Sequence, residues 1–140
     1  MNVRYLLDTN VLSEPLRPRP DTRVLEKIKT YEGMLATATL VWHELWFGCL
    51  RLPPSKKRMT IEQYLEEVVG RYLPLLSYDE RAARWHAEER ARLARIGRLP
   101  AFVDGQIAAI AAVNGLILVT RNIADFSAFR GLRVESWHSK

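Results

Sequence analysis

"VRYLLDTN", residues 3–10, decides the fold: an apolar run without alternation stops on an acid, Asp8, and Thr9 and Asn10 follow at once. A strand buried on both faces reads as a continuous apolar run, and both faces are covered mainly in sheets flanked by helices. Residues 4–7 are therefore expected to form an interior strand of a parallel sheet, with Asp8 just past its carboxyl end. A carboxylate in that place is either a cap for the next element or a piece of chemistry.

The chain beyond it alternates in the same sense. "PDTRVLEKIKTYEG" (20–33) sets Val24, Leu25 and Ile28 at helical spacing behind an N-cap Asp21 and stops at Gly33. "MLATA" (34–38) reads as a second strand, and Thr39 is expected to cap the helix "LVWHELWFGCLRL" (40–52), closed by Pro53 and Pro54. A helix over 55–72 turns Ile61, Leu65 and Val68/Val69 inward, and 73–78 is a strand kept short by Pro74. From Asp79 as N-cap, a charged helix 80–97 carries the apolar stripe Ala82, Trp85, Leu93 and Ile96 and ends at Gly97. A helix over 102–115 then runs into the strand 116–120, and 132–137 is a terminal strand. This alternation argues for an α/β protein with a mainly parallel central sheet of about five strands. At 140 residues and 48% hydrophobic content, the chain suits one domain over 1–140.

Composition excludes several classes. Cys49 is the only cysteine, so neither an intrachain disulfide nor a cysteine-based zinc site can form. The longest apolar segment, 107–119, is interrupted by Asn114 and Gly115, and the first residues lack a secretory pattern, so a cytoplasmic protein without membrane contact is expected. His43, His86 and His138 have no ligand spacing and read as structural or surface residues; no nucleophilic triad and no glycine-rich phosphate loop is apparent. A net charge of +5 biases the partner toward nucleic acid or another polyanion.

In an open parallel sheet, crevices form outside the carboxyl ends of the strands, where the crossover helices begin. Asp8 falls on that edge, as does Asp125 in the loop after 116–120 and Asp104 near the start of the preceding helix. Glu44 emerges from a mostly apolar helix beside Leu40, Phe47 and Gly48, which requires either a partner or a site. Taken singly, Asp8 reads as a cap, Asp104 as a first-turn helix charge and Asp125 as a surface loop acid. Taken together, four acids on one rim repel one another unless a cation sits among them, and an all-oxygen ligand set suits Mg²⁺ or Mn²⁺. Such a site activates water and stabilises phosphoryl oxygens, which points to phosphodiester hydrolysis.

"LLDTNVLSE" (6–14), "ATLVWHELWFG" (38–48), "VDGQIAAIAA" (103–112) and "LVTRNIADFSAFRGLRVESW" (118–137) resemble, in order, the acidic motifs of PIN-domain ribonucleases, nearest to the toxin branch of the VapC or FitB type. The resemblance implies a three-layer α/β/α fold in which Asp8, Glu44, Asp104 and Asp125 are catalytic, with Asp8 and Asp104 the foremost metal ligands. Thr9, Asn10, Thr120 and Asn122 would give polar support. In some relatives the last acid stands where this chain has Asn122, so Asp125 is the only charged residue available for that role here. The activity implied is Mg²⁺-dependent endoribonuclease cleavage leaving a 5′-phosphate, with Mn²⁺ as a substitute metal. The partners implied are RNA, a cognate antitoxin and a second copy in a homodimer, with DNA bound only through the antitoxin complex.

On the 80–97 helix, Glu89 interrupts the apolar stripe and is expected to pair with a nearby arginine. Arg81, Arg84, Arg92 and Arg95 gather on another arc and, with Arg121, are candidates for contact with an RNA backbone; a solvated basic face is the plainer reading. The arc Trp42, Leu45, Trp46 and Cys49 reads first as core, with an interface as the alternative. Two other functions stay open: a nucleic-acid-binding module without catalysis, and a haloacid-dehalogenase-type phosphatase. The phosphatase would need a second acid two residues after Asp8, where this chain has Asn10.

Overall fold

In the computed structural model, which describes residues 2–139, five parallel strands lie in the order β3-β2-β1-β4-β5. β1 (Tyr5–Leu7) sits at the centre, paired with β2 (Leu35–Ala38) on one side and β4 (Ile117–Val119) on the other. β3 (Leu75–Leu76) and β5 (Arg133–Glu135) are the edges. Every residue of β1, β2 and β4 is buried, as a sheet covered on both faces requires. Because all pairings are parallel, every carboxyl end faces one edge. The chain lays strands outward from β1 to β3 and then returns to place β4 on the other side of β1. The strand order therefore reverses between β1 and β4, and a crevice opens at such a reversal.

The connections are α1 (Thr9–Leu12), α2 (Thr22–Thr30), α3 (Thr39–Leu50), α4 (Lys56–Tyr64), α5 (Gly70–Tyr72), α6 (Glu80–Arg95) and α7 (Phe102–Val113). A π-helical turn, Leu65–Val69, joins α4 to α5, and 3₁₀ turns occupy Glu14–Leu16 and Ile123–Phe126. Asp21, Ser55 and Asp79 cap α2, α4 and α6 with their side chains, as residues that bond backbone N–H groups do. The core is built from Leu6, Leu7, Val11, Val41, Leu93, Ile110, Leu118 and Phe126, and Trp137 closes it against Tyr5 and Tyr31.

Several expectations need correction. Thr39 is the first residue of α3 and caps nothing; extended Ala38, still part of β2, holds the cap position. Val68 is 45% exposed while Val69 is fully buried, because the π turn alters the helical phase and only one of the two valines faces inward. Ile96 is 55% exposed because α6 ends at Arg95 and Ile96 has already left its phase. α1 and the turn after it went unread, since four residues are too few to show a period.

α6 ends in a left-handed Gly97 (φ +66°), with Gly97 N–H donating to Ala94 O and Arg98 N–H to Leu93 O. This double bond closes the helix and sets the direction in which 98–101 leaves it. α6 and α7 pack together at another glycine. The His86 ring lies against Gly105, and a Cβ there would overlap the ring. Tyr78 Oη fixes that ring through Nδ1 at 2.9 Å, so the histidine cannot easily yield. Gly105→Ala is therefore expected to cost about 1–3 kcal/mol in urea denaturation, and clearly less in a His86→Ala background, where the obstacle is gone.

Candidate functional site

Asp8 leaves β1 at the reversal point and is held on both sides. Its backbone N–H donates to Val119 O of β4 (3.0 Å), and Thr37 Oγ1 donates to the preceding carbonyl, Leu7 O (2.7 Å). Of its carboxylate oxygens, Oδ1 accepts from Thr9 N–H (2.8 Å) and Oδ2 from the Thr120 hydroxyl (2.8 Å). The side chain is thus both the cap of α1 and an oriented carboxylate at the mouth of the crevice, only 9% exposed.

Thr120, fully buried one residue past β4, is the hub of this support. While donating to Asp8, its Oγ1 accepts from Asn10 Nδ2 (3.3 Å) and from the Asn122 backbone N–H (3.2 Å). Asn10 Oδ1 in turn accepts from Arg121 N–H (2.9 Å), tying the loop after β4 to the start of α1. Asn122 thus contributes its backbone rather than its amide. With Asn10 committed to these bonds, the acid–base position that a haloacid-dehalogenase-type phosphatase needs is filled by a structural amide.

Glu44 reaches the same rim from α3, where its Oε2 accepts from Thr9 Oγ1 at 2.8 Å; it is exposed rather than embedded in the apolar helix face. Asp104 lies in the first turn of α7, and Asp125 is exposed in the 3₁₀ turn after β4. Among the described residues neither side chain has a hydrogen-bond or ion-pair partner. Both line an open cleft of about 520 Å³ whose walls also include Arg98, Ala124 and Ala128.

The four acids share one electrostatic field. Burial pushes the Asp8 carboxyl above its ordinary range, the Thr120 and Thr9 bonds pull it back, and Glu44 and Asp125 raise it again. Asp104 is likewise raised, first by burial and then by Asp125, Asp8 and Glu44, with no hydrogen bond to offset them. Even so, among the described residues no three acidic, histidine or cysteine side chains converge into a ready ion-holding cluster. The rim is a set of spaced carboxylates rather than a closed cage.

The arginines divide. Arg92 donates to both oxygens of Glu89 (2.8 and 2.9 Å) and to Ala128 O, and Glu89 also accepts from Arg130 N–H, which bears out the ion pair and commits the Arg92 guanidinium to partners within the chain. Arg81 bonds Val113 O and Asn114 Oδ1 at the far end of α7, about 14 Å along the helix from Asp104. Arg84, Arg95 and Arg121 are exposed and free of ion pairs among the described residues. Of the Trp42 arc, Leu45 and Cys49 are buried core, and Trp42 packs against Gly70. The sequence gives no role to Gly105, Arg98 or Glu14; the last is a buried acid that accepts from Asp21 N–H (3.1 Å).

An all-parallel sheet in this order, with acids at the β1/β4 reversal, defines a PIN-type α/β protein. The PIN domain family model matches residues 5–132, and the chain belongs to that family. It is 36% identical to Toxin FitB of Neisseria gonorrhoeae, covering 95% of this chain and 98% of the relative. It is 31% identical to the tRNA(fMet)-specific endonuclease VapC of Shigella flexneri, covering 96% and 98%. A structure of FitAB bound to an IR36 DNA fragment superposes with a TM-score of 0.88 at 30% identity over 97% of each chain. Within the family, the chain is of the VapC/FitB type.

The raised Asp104 sets a pH test. A carboxyl raised on folding stabilises the protein fully below its unfolded pKa and loses that contribution as pH rises through the folded value. Asp104→Asn should thus melt higher than wild type at neutral pH in chelator, and the gap should close as the pH falls below about 4. Melting curves across that range check the sign.

Proposed function

We propose that this chain is a divalent-metal-dependent endoribonuclease, the toxin of a toxin–antitoxin pair. One observation carries the reading: Asp104 is half-buried and unpaired, its carboxyl raised first by burial and then by three other carboxylates, an arrangement that costs stability unless positive charge enters it. The names of the relatives, an endonuclease VapC and a toxin FitB, support the activity and the role.

The donor set fits the metal. It is all oxygen, and Mg²⁺ keeps several waters and takes only one or two carboxylates besides substrate phosphate, so spaced acids suit it better than a closed cage. Asp8 and Asp104 would hold the ion, with Glu44 and Asp125 beside them and Mn²⁺ as a substitute. When bound, such an ion supplies a lowered pKa for water and positive charge for phosphoryl oxygens.

The chain's own residues do the rest. Against the burial that raises the Asp8 carboxyl, the Thr120 hydroxyl and Thr9 N–H favour its charged form and fix its plane, and Thr9 Oγ1 holds Glu44 toward the same space. Water attacks phosphorus as the P–O3′ bond breaks; the proton that water loses passes to a rim carboxylate or solvent, and the departing O3′ takes one up from solvent, leaving a 5′-phosphate and a 3′-hydroxyl. Arg84, Arg95 and Arg121 stand free to meet the RNA backbone. A cognate antitoxin, a homodimer, DNA contact only through the antitoxin complex and a cytoplasmic setting complete the proposal. Among the described residues no helix is long and apolar enough to cross a membrane.

The test is cleavage of total bacterial RNA by antitoxin-free protein with Mg²⁺, Mn²⁺ or chelator. Discrete 5′-phosphate fragments are expected only with metal, and a loss of about 100-fold or more in Asp8→Asn and Asp104→Asn. Equal behaviour of wild type and variants would leave a binding module. Thr120→Val removes a donor that holds Asp8 down, so the acidic limb of the pH–rate profile should move to higher pH.

A further inference from the structure

We propose that Arg98 binds a backbone phosphate of the substrate, from the wall of the cleft that Asp104 and Asp125 also line; the inference rests on the nuclease reading above. Arg98 lines that cleft together with both acids, yet it forms no ion pair with either, or with any other described residue. A guanidinium that shares an acidic cleft without pairing keeps its planar set of N–H donors available, and their geometry matches a phosphate's oxygens. Of the arginines on α6, Arg92 is committed to Glu89 and Arg81 to the far end of α7, and the free Arg84 and Arg95 do not line this cleft.

Its position is also specified by the backbone. The left-handed Gly97 and the Arg98 N–H bond to Leu93 O fix the point at which Arg98 leaves α6, and Pro100 limits the loop that follows. Ala101, Ala124 and Ala128 supply the intervening wall, so no large side chain fills the space of about 520 Å³, which is enough for a nucleotide. The cleft thus offers carboxylates for a hydrated cation and, from the same hollow, a free cation for phosphate. An arginine that served only to offset the repulsion among the acids would instead be expected to pair with one of them.

The experiment measures binding of a short fluorescein-labelled single-stranded RNA by anisotropy, with cleavage silenced by Asp104→Asn. Arg98→Ala, Arg98→Lys and Arg71→Ala are added to that background; exposed Arg71, in α5 before β3, lies at the amino edge of the sheet. Over about 50–200 mM salt, Arg98→Ala should weaken binding about five- to tenfold and reduce the slope of log K against log salt by about one. Arg98→Lys should keep the slope while losing part of the affinity, and Arg71→Ala should change neither. An Arg98→Ala that matches Arg71→Ala, or that loses affinity with the slope intact, overturns the assignment. If the parent binds RNA and wild type cleaves it, that failure concerns Arg98 alone; if the parent binds none and wild type cleaves none, the nuclease reading falls as well.

Discussion

Repulsion among four carboxylates at one edge of a parallel sheet is the constraint around which this end of the molecule is arranged. Parallel pairing sends every strand's carboxyl end the same way, and the reversal of strand order between β1 and β4 opens a gap beside Asp8. The Thr120 hydroxyl crosses that gap to Asp8 Oδ2 and is itself anchored by Asn10 and the Asn122 N–H. Neutral donors therefore surround the most buried of the four rim acids. They hold a negative charge in place without cancelling it, as a site for a cation needs and as an ion pair would not allow.

The positive charges follow the same division. The chain carries a net +5, yet none of its salt bridges among the described residues involves Asp8, Glu44, Asp104 or Asp125. Glu89 shows the contrast within one helix: Arg92 and the Arg130 N–H satisfy it fully and hold its carboxyl below the usual range, while Asp8 and Asp104 are raised. Glu89 is a paired acid of the framework, whereas Asp104 and Asp125 are unpaired and line the cleft.

Much of this is legible in the sequence alone. The unbroken apolar run ending at Asp8 announced a central parallel strand, and the alternation of periods announced the layers, because burial on both faces leaves a direct mark on sequence. The acids' common edge followed from topology alone. What stayed hidden depended on contacts between distant residues: Arg81 and Arg92 share an arc of α6 with Arg84 and Arg95, but only packing against α7 and the 126–130 turn separates the committed guanidiniums from the free ones. Gly105 looks like any helical glycine until His86 is seen against it. The Val68/Val69 pair misled because a π turn breaks the period on which the reading relied.

On the proposed function, the carboxylate rim is held at a cost which a divalent cation relieves. The most direct measurement is the melting temperature at neutral pH as a function of Mg²⁺ concentration, in wild type and in the Asp8→Asn/Asp104→Asn double variant. A saturable rise is expected in wild type and, in the variant, a higher starting point that Mg²⁺ does not move. Equal rises in both proteins, or none in wild type, would contradict it.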